Sequence, residues 1–133
     1  METIIEPTIR GMADDGIPFK GVLFAGLMIT DDGPKLIEYN ARFGDPECQV
    51  LMMRLDCDIG EYMLACANSS LGSLRPPKLS RDAALTVVMA AKNYPGTPEK
   101  GGTIRKIDAA EKDGAKVFHA GTTRNDAGEL VAN

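Results

Sequence analysis

Tryptophan is absent, and three Tyr and four Phe make up the whole aromatic content of 133 residues. There is no basic excess either, since the formal net charge is −4. A chain with neither a basic stripe nor a stacking platform is poorly equipped to hold nucleic acid, so no nucleic-acid partner is expected. Long apolar runs are missing too, and the opening METIIEPTIR is too polar for a secretory signal. The expectation is therefore no membrane partner and a cytoplasmic location. Cysteine is scarce and odd in number: Cys48, Cys57 and Cys66 have no close paired spacing, and only one histidine accompanies them. That pattern argues against a zinc site or a disulfide framework. The length is enough for one domain and short for a two-substrate enzyme that builds its site between lobes.

The pattern along the chain divides in two. Ile4, Ile5, Thr8, Ile9 and Met12 recur at helical spacing, which predicts a helix to about residue 14, with Pro7 interrupting the run. GVLFAGLMIT (21–30), the turn residues Asp31 to Pro34, and KLIEYN (35–40) predict an antiparallel hairpin. Asp45-Pro46-Glu47 ahead of CQVLMMRL reads as a helix start with Asp45 at the N-cap and Pro46 in the first helical position. A second helix is expected from Asp58 through Cys66. NSSLGSLRPPKLS (68–80), rich in Ser, Gly and Pro, is the expected boundary. Beyond it ALTVVMAA, AKVFHAGT and GELVAN read as short strands, with DAAEKDG as a short helical connection. The expected fold class is α+β: residues 1–75 one part, residues 80–133 a small β-rich domain.

EYNARFGDPE (38–47) concentrates polar chemistry just after the second strand of the hairpin. Side chains alternate along a strand, so Glu38 and Asn40 share a face, which Arg42 joins if the extended conformation persists. A carboxylate and a carboxamide oxygen two residues apart suit a hard divalent cation, which takes few protein ligands and keeps waters or shares phosphates. An adjacent Arg suits a phosphate. A solvated strand end whose charges pair with one another fits the same spacing. Gly44 ahead of a helix start offers free backbone donors to an anion, and Asp45 and Glu47 suit a substrate amine. The bland alternatives are an N-cap for Asp45 and a dipole-favoured first-turn acid for Glu47. His119, alone on an expected apolar strand, reads as a structural histidine, Met52-Met53 as core filling, and Lys92, Lys100 and Lys106 as solvated surface charges.

The stretch from GVLFAGLMIT through YNARFGDPECQVLMMRL, followed by ALTVVMAAKNYPG and KVFHAGT, resembles the carboxy-terminal half of the phosphoribosylamine–glycine ligase family over nearly the whole chain. The resemblance implies an ATP-grasp fold and a ligase that activates glycine with ATP and Mg²⁺ (or Mn²⁺), then passes it to 5-phosphoribosylamine in purine biosynthesis. It implies that the family's Glu-x-Asn metal ligands are Glu38 and Asn40, with Arg42 near the reacting phosphate. A further acidic ligand found on the preceding strand in many ATP-grasp proteins has no counterpart in FAGLMIT, and Asp31 and Asp32, in the turn, are poor substitutes. The resemblance also implies that the complete ligase adds amino-terminal lobes and a closing segment. These residues alone are therefore expected to form an inactive half-site and, with apolar surface left uncovered, to self-associate. Two alternatives are a non-catalytic β-rich assembly module and another ATP-grasp carboxylate–amine ligase.

Overall fold

The computed structural model describes residues 1–133, which form two compact units, Met1–Thr86 and Val87–Asn133. Both mix helix with a two-stranded antiparallel sheet, so the class is α+β.

In the first unit α1 (Ile5–Asp14) precedes strands β1 (Phe24–Thr30) and β2 (Gly33–Asn40), and α2 (Glu47–Arg54) and α3 (Ile59–Ala67) follow. Helix α1 tolerates Pro7 because the proline falls in its first turn, where no intrahelical N–H partner is lost. The hairpin turns tightly, with Thr30 opposite Gly33, whose φ of +98° is a conformation that glycine adopts without strain. Along β2 the register slips by one residue: Gly26 faces Glu38, Leu27 faces Leu36, and Ile37 is left unopposed as a bulge.

Tyr39 ties this hairpin to α1. Its hydroxyl hydrogen-bonds Thr8 Oγ1 and donates to the Ile4 carbonyl at 3.4 Å. Because neighbours on a strand point oppositely, Tyr39 facing the helix turns Glu38 and Asn40 to the other side. Helix α3 is capped by Asp58, which accepts from the Gly60 N–H at 2.8 Å; the helix itself runs within one residue of the expected Asp58-to-Cys66 span.

The Pro-rich stretch after α3 is fastened to the same unit. Tyr62 donates to the Arg75 carbonyl at 2.9 Å, Arg54 to the Ser80 carbonyl at 2.8 Å, and Leu55 and Leu79 form a single antiparallel bridge.

The second unit holds α4 (Ile107–Lys112), β3 (Thr122–Arg124) and β4 (Leu130–Ala132), with Thr103 bridged to Val131 on the free side of β4. Here several strand expectations need correction. ALTVVMAA (84–91) is irregular, and no backbone hydrogen bond is made by residues 83–90. AKVFHAGT enters a strand only at Thr122. β-propensity measures fit to a pleated surface with neighbours, and these segments have no neighbouring strand to complete the pairing. His119 is accordingly neither on a strand nor in the core: it is exposed and shares a hydrogen bond of 3.3 Å with Thr122.

The core is thin. Only Ala65 in the first unit and Val131 in the second are buried among the apolar residues, and no polar residue is buried.

Candidate functional site

The two proposed ligands sit at the open end of the hairpin, where Phe24 pairs with Asn40. Asn40 Nδ2 donates to Glu38 Oε1 at 3.1 Å, so the two side chains are adjacent on one face. One carboxylate oxygen and the carboxamide oxygen are left outside that bond. The turn carrying Asp31 and Asp32 lies at the opposite end of the hairpin, which removes both as third ligands. No group of three or more His, Cys, Asp and Glu side chains clusters anywhere in the chain. The donor set fits a hard cation that completes its shell with water and phosphate oxygens rather than one that needs an all-protein cage.

A residue absent from the sequence reading shapes this face. A Cβ added to Gly26 would lie 3.1 Å from Glu38 Cγ, so the glycine opposite Glu38 is the space into which that side chain folds. The signal was present, since a glycine inside an apolar strand marks a bulge or a close approach. Here it marks both.

Arg42 does not join Glu38 and Asn40. The strand ends at Asn40, residues 41 and 42 bend, and the exposed guanidinium donates to the Phe43 carbonyl at 2.9 Å. Phe43, half-buried, lines an apolar cavity of about 650 Å³ with Ile59, Tyr62, Met63 and Leu74.

The loop then enters α2 one residue later than expected. Pro46, not Asp45, is the N-cap, with φ −98° and ψ 19° outside the helical range, and no side chain caps the helix. Asp45 is therefore not a cap; its Oδ1 accepts from Gln49 Nε2 at 3.3 Å. Glu47 is the first helical residue, where the positive end of the helix favours its charge. Its carboxylate folds over the buried Gly44: a Cβ on Gly44 would come 2.9 Å from Glu47 Cδ. Gly44 also accepts the Cys48 N–H at 2.9 Å. The carboxylate thus covers the backbone that the sequence reading offered to an anion.

The hairpin thus pairs a carboxylate with a carboxamide on one face, with an arginine in the following loop. The ATP-grasp (A) domain of phosphoribosylglycinamide synthetase matches residues 1–48, and the C domain of the same synthetase matches residues 84–133. The chain belongs to the phosphoribosylglycinamide synthetase family. It is 61% identical to a phosphoribosylamine–glycine ligase of Mesorhizobium japonicum, over 100% of this chain and 31% of the relative. To the chloroplastic phosphoribosylamine–glycine ligase of Arabidopsis thaliana it is 52% identical, over 99% and 25% respectively. To a trifunctional purine biosynthetic protein of Gallus gallus it is 50% identical, over 99% and 13%. The chain thus spans about a third or less of the length of these curated relatives.

Proposed function

We propose that this chain supplies the metal-binding edge of an ATP-dependent carbon–nitrogen ligase that joins glycine to 5-phosphoribosylamine in purine biosynthesis. ATP is the co-substrate, Mg²⁺ or Mn²⁺ the metal and the cytoplasm the compartment. The observation that carries this reading is the Glu38–Asn40 pair, 3.1 Å apart on a face cleared by Gly26, within the residues matched by the family's ATP-grasp domain.

In the proposed reaction a glycine carboxylate oxygen bonds to the terminal phosphorus of ATP as the bond to ADP breaks. The substrate amine then attacks the acyl carbon, loses a proton and expels phosphate. Such transfers depend on positioning and charge neutralisation more than on covalent help from side chains. Glu38 and Asn40 would hold the cation, which when bound supplies positive charge against the phosphate oxygens. Arg42 would exchange its bond to the Phe43 carbonyl for a two-pronged contact with phosphate, a better match for a guanidinium. Asp45 and Glu47 would hold an amine, with Gly44 keeping the loop backbone close to the substrate. The adenine and phosphates of ATP require a grip that these residues do not provide, so its partner in catalysis is the rest of the ligase polypeptide, and the 133 residues alone are expected to make no product.

The test is Glu38→Gln in a ligase of the relatives' full length, with product formation and ATP hydrolysis measured at saturating Mg²⁺. Gln keeps the shape and removes the charge. Turnover should fall on the order of a hundredfold or more, as for other preorganised electrostatic groups. Near-normal turnover would remove the metal assignment.

A further inference from the structure

In the first unit the apolar cavity of about 650 Å³ beside α3 has walls of Phe43, Ile59, Met63, Leu71 and Leu74. Two cationic residues, Lys20 and Arg75, also line it, and no carboxylate does. We infer that it binds one amphiphilic anion, a medium-chain fatty carboxylate, with the hydrocarbon tail inside and the head group at the two cations. The inference does not rest on the reaction proposed above, and its test reads binding rather than turnover.

Two segments build the cavity. Ile59, Met63 and Cys66 recur at helical spacing and so share one face of α3. The segment from Leu71 to Pro77 supplies a second wall, and its backbone is fixed at several points. Leu74 N–H donates to the Leu71 carbonyl at 3.1 Å, the Tyr62 hydroxyl to the Arg75 carbonyl at 2.9 Å, and Asp56 N–H to the Lys78 carbonyl at 2.8 Å. The cavity is therefore formed before anything enters it, which keeps the ordering cost of binding low. Met63 and Leu71 remain exposed, so a hydrocarbon tail seated here would remove from water the apolar surface that folding leaves uncovered. The volume lies within the range of small-molecule sites, and a concave apolar surface suits a single molecule rather than a bilayer.

Charge identifies the occupant. The chain has 19 acidic residues against 15 basic ones, so a cavity lined by two cations and no carboxylate runs against the composition of the whole. Neither Lys20 nor Arg75 takes part in an ion pair, which leaves both charges uncompensated. Both residues are exposed while lining an apolar wall. Long basic side chains reconcile the two by laying the stem along apolar surface and keeping the charge in water. The result is hydrocarbon within and positive charge at the mouth, the complement of a fatty carboxylate. A neutral amphiphile would leave the two cations unused, and a cationic one would be repelled by them.

The experiment is an amide and methyl NMR titration of the 133-residue chain with decanoate, decanol and decyltrimethylammonium, each below its micelle-forming concentration. Decanoate should bind saturably, one molecule per chain, with shifts centred on Ile59, Met63 and Leu74. It should bind about tenfold more tightly than decanol, the effect of one charge-assisted contact, and more tightly still than the cation. Against hexanoate it should gain about fourfold for each added methylene. Lys20→Glu and Arg75→Glu alter exposed side chains, and the bond from Tyr62 is to the Arg75 backbone, so the fold is retained. Each should weaken decanoate about tenfold and leave decanol unchanged. Met89→Ser, at an exposed position of the second unit, should leave decanoate affinity unaltered. Equal binding of decanoate and decanol, binding of neither, shifts centred on residues 84–90, or binding to phosphatidylglycerol vesicles without binding to decanoate overturns the inference.

Discussion

At the scale of single residues, the metal site proposed above should depend on what stands opposite Glu38 as much as on Glu38 itself. Gly26→Ala would place a methyl 3.1 Å from Glu38 Cγ, a gap that closes only if the glutamate side chain moves by a few tenths of an ångström. Glu38 is exposed and free to move, and Gly26 does not have a positive φ, so the alanine also narrows the unfolded ensemble. The expected outcome is a thermal midpoint close to the parent's, with turnover of the full-length ligase reduced about tenfold if Glu38 is the ligand proposed above. A large loss of stability with normal turnover of the folded fraction would show that the glycine serves the hairpin rather than the carboxylate. Arg42→Lys tests the neighbouring loop. An ammonium cannot reproduce a bidentate phosphate contact, so turnover should fall substantially while folding is untouched, because the one bond lost is to an exposed backbone carbonyl. Circular dichroism melts beside steady-state assays separate the two effects.

At the scale of elements, what the sequence revealed depended on whether an element closes its hydrogen bonds locally. Helix α1, the β1–β2 hairpin and α3 were all legible, because spacing and turn residues lie within a few positions of one another. Glu38 and Asn40 could be paired from alternation alone. The outward turn of Arg42 could not, since it follows from where β2 stops, and the late start of α2 follows from the backbone of Pro46. The segments 84–91 and 115–121 carry strand composition without strand partners, and composition is silent about partners. One local device does hold the second of these. Glu111 Oε1, at the end of α4, accepts from the Val117 N–H at 3.2 Å and from Lys116 Nζ at 3.1 Å. These contacts, the Val117 hydrogen bond foremost, hold the Glu111 carboxyl below the usual glutamate range. A lowered folded value means that the tether is fully present above the unfolded glutamate value and is lost as pH falls through the lowered one. Hydrogen exchange at the Val117 amide should therefore accelerate, beyond its intrinsic pH dependence, as the solution is acidified through that window, and Glu111→Gln should abolish the extra term. Protection that is indifferent to the substitution would place the tether elsewhere.

At the scale of the whole molecule the uncovered apolar surface sets behaviour. Residues 84–90 combine three properties: they are extended in composition, their backbone groups are unpaired, and Leu85, Val87 and Met89 are 89%, 76% and 94% exposed. These three alternate along the chain, so in a strand they would occupy one face with Val87 at its centre. An unpaired edge with an apolar face is a template for another strand, and no proline or charge interrupts it between Ala83 and Ala91. A second copy of the same segment is a self-complementary partner: run antiparallel about a twofold axis at Val87, each residue of one copy meets its mirror in the other. The proposed self-association of the 133-residue chain is therefore assigned to this segment. Static light scattering over a concentration series should show a mass rising from monomer towards dimer. Val87→Lys should hold the chain at monomer mass, because it sets two like charges opposite each other at the centre of the pairing. An equal substitution at Met28, an exposed residue of β1, should change the mass little if residues 84–90 are the contact. A parent chain that stays monomeric at high concentration would exclude association altogether, and an association abolished by Met28→Lys but not by Val87→Lys would move the contact to the hairpin.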